Sequence, residues 1–109
     1  MASEVLAVAL NKEITNTEKV LLTVASGHTY TVLNISICET AGNAETFDLY
    51  IDDNAGGTDY EIYSDQALAA NGTFEHTTRI VLEATDTLCC ALASTGNADA
   101  VVSYLDQTL

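Results

Sequence analysis

Basic residues are almost absent from this sequence of 109 residues. Two lysines and one arginine stand against sixteen acidic residues, which gives a formal net charge of −13. Such a charge repels the phosphate backbone of nucleic acids, so nucleic-acid binding is not expected. Because the acidic residues are spread over the whole chain, we interpret them as surface residues that keep a strand-rich protein soluble rather than as an acidic tail.

Long apolar runs and targeting signals are also missing. The apolar run near the N-terminus, Val5–Leu10, has six residues and no basic residue before it. It is too short to span a membrane and does not have the form of a signal peptide. We therefore expect no membrane partner and synthesis in a cytoplasm.

Cysteine is scarce and badly placed for disulfides. Cys38, Cys89 and Cys90 are odd in number, and two of them are adjacent. Adjacent residues of a strand point to opposite faces, so Cys89 and Cys90 cannot bind one metal ion together while strand geometry holds. We expect reduced, largely buried thiols and no metal.

Recognisable catalytic motifs are lacking too. The sequence has two histidines, His28 and His76, and neither stands in a motif with a nucleophile. Zinc-protease, phosphate-loop and serine-hydrolase motifs are absent. We expect no enzymatic activity and no cofactor.

Two binding functions stay open at this stage. The acidic segment from Asp48 to Asp59 has the oxygen groups that calcium prefers, but not the spacing of an EF-hand, and we interpret it as a solvated loop. Tyr50, Tyr60 and Tyr63 fall in one predicted hairpin and could offer a sugar-stacking surface, although tryptophan is absent. Alternation places Tyr60 toward the core and Tyr63 outward, which interrupts that row.

The strongest positive signal is the alternation of apolar and polar residues between His28 and Asp52. A two-residue period indicates half-buried strands, and residues 41–44 supply a turn between two such runs. We predict a β-hairpin here, followed by a second hairpin across the glycine-bearing loop at 53–58. The doublet Val32-Leu33 breaks the alternation and predicts a β-bulge.

Turn residues separate further short strands along the rest of the chain. The other predicted strands are Glu4–Leu10, Val20–Val24, Tyr60–Tyr63, Thr73–Glu83, Thr87–Ala93 and Ala98–Asp106. For Ser3–Leu10 a helix capped by Ser3 remains an alternative. The last strand is apolar on both faces, which is typical of a strand covered on both sides.

About eight short strands without proline or an amphipathic helix predict an all-β fold. We expect one domain, residues 1–109, built as an antiparallel two-sheet β-sandwich of jelly-roll or Greek-key type. The predicted core comprises Leu33, Ile35, Ile37, Phe47, Leu49, Ile51, Ile80, Leu82, Leu88 and Leu92.

Four segments of the sequence are distinctive when they are taken in order, namely Tyr30–Val32, Ile35–Thr40, Asp48–Ile51 and Ile80–Leu88. Together they resemble a family of small virion structural proteins of tailed bacteriophages, which includes β-sandwich capsid decoration, or cement, proteins. The resemblance implies a non-enzymatic decoration protein that binds the outer surface of a phage head and stabilises it, with the major capsid protein as partner. The alternative is a carbohydrate- or receptor-binding β-sandwich module of a phage tail or head fibre.

The apolar residues near both ends of the chain exceed what one thin sandwich needs to bury. The candidate interface for self-association or capsid binding comprises Val5, Leu6, Val8, Leu10, Val102 and Tyr104. We expect a homo-oligomer, specifically a trimer on the capsid exterior, because capsid lattices offer three-fold positions and a closed ring leaves no edge strand free.

Overall fold

The computed structural model describes residues 2–54 and 56–108, and these residues form nine β-strands. The strands are β1 Ser3–Ile14, β2 Lys19–Thr23, β3 His28–Glu39, β4 Glu45–Asp52, β5 Asp59–Leu68, β6 Thr73–His76, β7 Ile80–Leu82, β8 Thr87–Leu92 and β9 Ala98–Thr108. The first segment, for which the sequence leaves strand and helix open, is a strand. Within the described ranges there is no helix that could cross a membrane.

The strands form two sheets that pack face to face. Sheet I has the order β1-β9-β3-β6, with β7 also pairing with β3, and sheet II has the order β2-β8-β4-β5. Every pairing is antiparallel. This confirms the predicted fold class, an all-β, antiparallel two-sheet β-sandwich.

The core between the sheets follows the predicted alternation closely. Seven predicted core residues are buried, namely Ile35, Ile37, Phe47, Leu49, Leu82, Leu88 and Leu92. Ile51 and Ile80 are half-buried and pack against this cluster. Because strand side chains alternate between faces, each of these positions follows directly from its local sequence.

Leu33 is the predicted core residue that the structure contradicts. The register between β3 and β9 shifts between Val32 and Asn34, so Leu33 is the extra residue of a β-bulge. Val32 is fully buried in its place. The bulge predicted from the doublet is therefore confirmed, but it turns Leu33 away from the core.

The predicted hairpin between His28 and Asp52 is wrong. Its two strands, β3 and β4, belong to different sheets, so the turn at 40–44 crosses from sheet I to sheet II. The second hairpin is confirmed, because β4 and β5 pair across the loop at 53–58. The predicted strand from Thr73 to Glu83 is two strands, β6 and β7, which both pair with β3.

Candidate interaction surface

The outer face of sheet I carries exposed apolar side chains along its edge strand. In β1, Leu6 is 74 % exposed, Val8 53 % and Leu10 75 %. The alternating residues Ala7 and Ala9 are partly buried, and Ala9 packs against the core. The strand therefore turns small residues inward and large apolar residues outward, the reverse of an ordinary amphipathic strand.

Other strands extend this apolar face. Val101 of β9 is opposite Leu10 in the ladder, and Val81 of β7 is opposite Thr31 of β3. Both valines are exposed. We call the outward-facing residues of sheet I the sheet-I face; its apolar members are Leu6, Val8, Leu10, Leu33, Val81, Val101 and Leu105.

The predicted interface residues do not all lie on this face. Val5 is exposed, but it alternates with Leu6 and Val8 along β1. Val102 is fully buried in the core, which corrects its assignment as a surface residue. In β9, Val102 faces the core, so its neighbour Val101 points outward and is exposed. The prediction that both faces of this strand are covered is therefore wrong.

Tyr104 is half-buried and takes part in both environments. Its ring lies 4.7 Å from the ring of Tyr30, measured between centroids, and it packs against the core. It also lines a groove of about 390 Å³ together with Leu6, Ala7, Val8, Leu33 and Ser103. The small Ser103 leaves this hollow between larger neighbours, so the face offers both protruding leucines and a recess.

Charged groups on β1 and β9 are confined to the two ends of the sheet-I face. At one end, Gln107 donates a hydrogen bond of 2.7 Å from Nε2 to Glu4 Oε2. At the other end, Lys12 Nζ lies 3.2 Å from Asp99 Oδ2. The strip between these pairs is apolar apart from Ser103.

Sheet II and its loops carry much of the negative charge. Burial, together with the charges of Asp48, Asp59 and Asp65, raises the pKa of Glu61. A hydrogen bond with Asp86, burial and further carboxylates raise the pKa of Asp53. The outward strip of β1 and β9 is therefore apolar, whereas sheet II and its loops are acidic.

Carboxylates of the acidic segment bind backbone groups. Asp52 accepts a hydrogen bond of 3.0 Å from the backbone N–H of Gly56, and Asp48 accepts one of 2.8 Å from that of Asp65. Among the residues that the structure describes, no group of three or more His, Cys, Asp or Glu side chains is arranged to hold a metal ion. Both carboxylates therefore accept hydrogen bonds within the hairpin of β4 and β5 and its loop.

The three tyrosines of the second hairpin do not form a row. Tyr50 is buried and donates a hydrogen bond to Glu18, while Tyr60 is 57 % exposed. Tyr63 packs edge-on against Phe74, with ring centroids 4.8 Å apart, and against His76. The predicted facing of Tyr60 and Tyr63 is reversed, because β5 pairs with β4 through irregular registers on both sides of Leu49.

Both histidines are held in pairs that link strands. His28 Nδ1 lies 2.6 Å from Asp106 Oδ1, joining β3 to β9 within sheet I. His76 Nδ1 lies 2.8 Å from the hydroxyl of Tyr63, joining β6 of sheet I to β5 of sheet II. These contacts give each ring a role in holding the sandwich together.

The three cysteines are free, as expected. Cys89 and Cys90 are buried on opposite faces of β8, and Cys38 is half-buried. Burial raises the pKa of Cys89 to about 11 and that of Cys90 to about 12. Both thiols therefore stay protonated at neutral pH, the form that is a poor nucleophile and a poor metal ligand.

Melting temperatures measured with a reductant, with a chelator and with neither are expected to coincide. The reason is that the described thiols are free and the buried pair stays protonated, so neither a disulfide nor a thiolate-bound metal contributes to folding. Differential scanning calorimetry checks this directly. A fall of several degrees with the chelator alone would contradict it.

No protein-family model and no curated protein sequence matches the chain. Its fold is similar to solved structures at low sequence identity. A chain of the Bacillus endospore appendages, a family of disulfide-linked pili, matches with a TM-score of 0.62 and 12 % identity over 100 % of this chain and 91 % of that one. A chain from the acid-stable capsid of the Helicobacter pylori bacteriophage KHP30 matches with a TM-score of 0.57 and 13 % identity over 100 % and 94 %. The chain thus shares its β-sandwich fold with components of a pilus and of a phage capsid.

Proposed function

We propose that this protein is a non-enzymatic structural protein of a bacteriophage virion, a decoration or cement protein that binds the outer surface of the head and stabilises it. The observation that carries the proposal is the apolar sheet-I face on a chain with a net charge of −13. The four-segment resemblance to phage virion proteins and the fold shared with the KHP30 capsid chain support it.

The size of the sheet-I face fits a specific protein contact. The five strands of sheet I contain 42 residues, which at about 4.8 Å between strands and about 3.4 Å per residue cover roughly 700 Å². This area is close to the roughly 800 Å² that each partner contributes to an interface of standard size. A face of this area with protruding leucines is typical of an interaction site on an otherwise polar protein.

The charge distribution favours the exterior of the head over its interior. Packaged DNA would set phosphate against the acidic groups of sheet II, which repel it. On the exterior, the sheet-I face can contact the major capsid protein while sheet II faces solvent. Because that contact is mainly apolar, binding is expected to persist in molar salt, which screens exposed charges.

The oligomer in this proposal is a homotrimer seated at three-fold positions of the capsid lattice. A closed three-fold arrangement joins the copies through one repeated contact without forming an open fibre. Light scattering of the purified chain tests this part, and a mass corresponding to a multiple of three chains is the expected result. A monomer at micromolar concentration contradicts it.

Replacing Val101 with aspartate is expected to abolish binding to phage heads, while the same change at Val20 leaves binding intact. The two valines are matched in exposure, at 41 % and 42 %, but Val101 is on the sheet-I face and Val20 is on the outer face of sheet II. Co-sedimentation with intact heads of the phage that encodes the chain measures binding and copy number. Equal loss at both positions, or heads that sediment without the wild-type chain, would refute the proposed surface.

A further inference from the structure

Strand β1 is the long free edge of the sandwich. It pairs with β9 in a regular register from Ser3 to Asn11, and no strand of the described chain pairs with its other side. The other edges are less suited to pairing, because β2, β6 and β7 have only five, four and three residues and β5 is interrupted by register shifts. A long, apolar edge strand with unpaired N–H and C=O groups is a template for another strand.

We infer that β1 pairs antiparallel with β1 of a second copy, about a two-fold axis that passes between the Val8 residues of the two copies. The two copies of sheet I then join into one continuous sheet, and the free backbone groups on each edge are satisfied by the other copy. The contact is isologous, so it closes on itself at two copies. It does not depend on the virion role proposed above.

The sequence of β1 selects this register. Residues directly opposite each other in a sheet share a face, so outward-facing residues must meet outward-facing residues. With Val8 opposite its own counterpart, Leu6 lies opposite Leu10 of the second copy. At the ends of the pairing, Glu4 lies opposite Lys12 of the second copy, which joins opposite charges.

Neighbouring registers lose this match. A shift of two residues in one direction places Glu4 opposite Leu10, and a shift in the other direction places Leu6 opposite Lys12. Either shift sets a charge against a leucine and removes the charge pair. Along the outward face, from Glu4 to Lys12, the register centred on Val8 therefore pairs apolar with apolar and acid with base.

A second copy is the occupant that the charges favour. The partner strand must present alternating apolar residues and a cation beside Glu4. In a second copy of the chain, only three residues, two lysines and one arginine, can supply that cation. Lys12, whose side chain is largely exposed, stands at the required distance along β1 itself. Because two chains of −13 also repel each other, pairing is expected to strengthen as salt is added, which screens that repulsion.

The two-fold contact predicts an even number of copies. Alone it gives a dimer, and if the trimer of the proposed function also forms, the two contacts together give a hexamer. A decoration role without edge pairing gives three copies, and edge pairing without a decoration role gives two. The failure of one proposal is thus distinguishable from the failure of the other.

Single cysteines along β1 test the register. In a Cys38→Ser background, Val8→Cys is expected to form a disulfide with itself when air and copper-phenanthroline are added, because opposed Cα atoms about 4.5–5.5 Å apart suit a disulfide. Leu6→Cys alone lies about 14 Å from its counterpart, four residues along the strand, and stays unlinked. Mixing Leu6→Cys with Leu10→Cys restores cross-linking. All three positions are exposed, so the substitutions leave the core unchanged.

Non-reducing gels and light scattering read out the result. We expect on the order of tenfold more cross-linked product for Val8→Cys than for Leu6→Cys alone, and an even copy number for the wild-type chain. Cross-linking of Leu6→Cys with itself to the same extent as Val8→Cys, no cross-linking of Val8→Cys, or an odd copy number would overturn the inference.

Discussion

Replacing Leu49 with alanine is expected to lower the free energy of unfolding by about 2–5 kcal/mol. Leu49 is 0 % exposed and lies in the middle of β4, which is paired on both sides, with β8 and with β5. Truncation removes buried methyl groups and leaves a cavity that two flanking strands prevent from closing. The loss therefore includes a cavity term as well as the lost burial.

The matched control is the same substitution at Leu10, which is exposed on the sheet-I face. There the side chain has little burial to lose, and the expected change is within about 0.5 kcal/mol. Urea unfolding of dilute protein measures both variants, with a shifted midpoint and an unchanged slope for Leu49→Ala. A loss under about 0.5 kcal/mol for Leu49→Ala would mean that the inward phase of β4 is assigned wrongly.

The inward phase of most strands was predictable because alternation is a local property. In β3 and β4, the residues Ile35, Ile37, Phe47 and Leu49 alternate with polar neighbours, so their common face follows from the sequence alone. Which strands pair with each other in a sheet is not determined by the local sequence. A short turn joins two strands equally well as a hairpin or as a crossing between sheets, and residues 40–44 make the crossing.

Alternation does not identify the outward face of a strand that has apolar residues on both faces, and for this reason Val102 was wrongly assigned to the interface. In β9 both Val101 and Val102 are apolar, and alternation alone does not choose between them. Ala98 and Ala100 lie on the same face of β9 as Val102 and are buried with it, so these small residues could have indicated the inward face. In β1, hydrophobicity predicts that Leu6 and Leu10 face the core, whereas in the structure Ala7 and Ala9 face inward.

Glu39 is the important residue that the sequence analysis missed. It continues the alternation of Ile35 and Ile37 and is 1 % exposed, a carboxylate in a core position. A charged residue in the inward phase at the end of an apolar strand is the signal that could have found it, because buried charges need several hydrogen-bond partners. The following turn and the loop at 69–72 supply those partners.

Replacing Glu39 with glutamine is expected to lower the melting temperature by on the order of 10 °C. The carboxylate accepts four backbone N–H groups, from Ala41 at 2.8 Å, Gly42 at 2.9 Å, Asn43 at 3.1 Å and Asn71 at 2.8 Å. It thereby ties the turn between the sheets to the loop before β6. Glutamine keeps the shape, but its NH₂ group faces at least one of these donors in either orientation.

The pH dependence of this effect has a definite sign. The backbone N–H of Asn71, together with those of Ala41, Asn43 and Gly42, lowers the pKa of Glu39 below its ordinary value of 4.5, against the opposing effect of burial. A folded-state pKa below the unfolded value means that the stabilisation is complete above about pH 4.5 and is lost as the pH falls through the folded pKa. Glutamine does not titrate and lacks this dependence.

The difference in melting temperature between wild type and Glu39→Gln isolates this residue from the rest of the acidic surface. The raised pKa values of Asp53, Asp59 and Glu61 favour the folded state of both proteins as the pH falls through those pKa values, and this contribution cancels in the difference. Calorimetry from pH 7 to pH 3 should therefore give a constant difference above about pH 4.5 that shrinks below it.

Glu45→Gln is the control. Glu45 accepts a side-chain hydrogen bond of 2.8 Å from Ser94, and the amide oxygen of glutamine can accept the same bond, so a smaller change in melting temperature is expected. A difference that grows as the pH falls would show that Glu39 does not act as an ionised acceptor of these four groups.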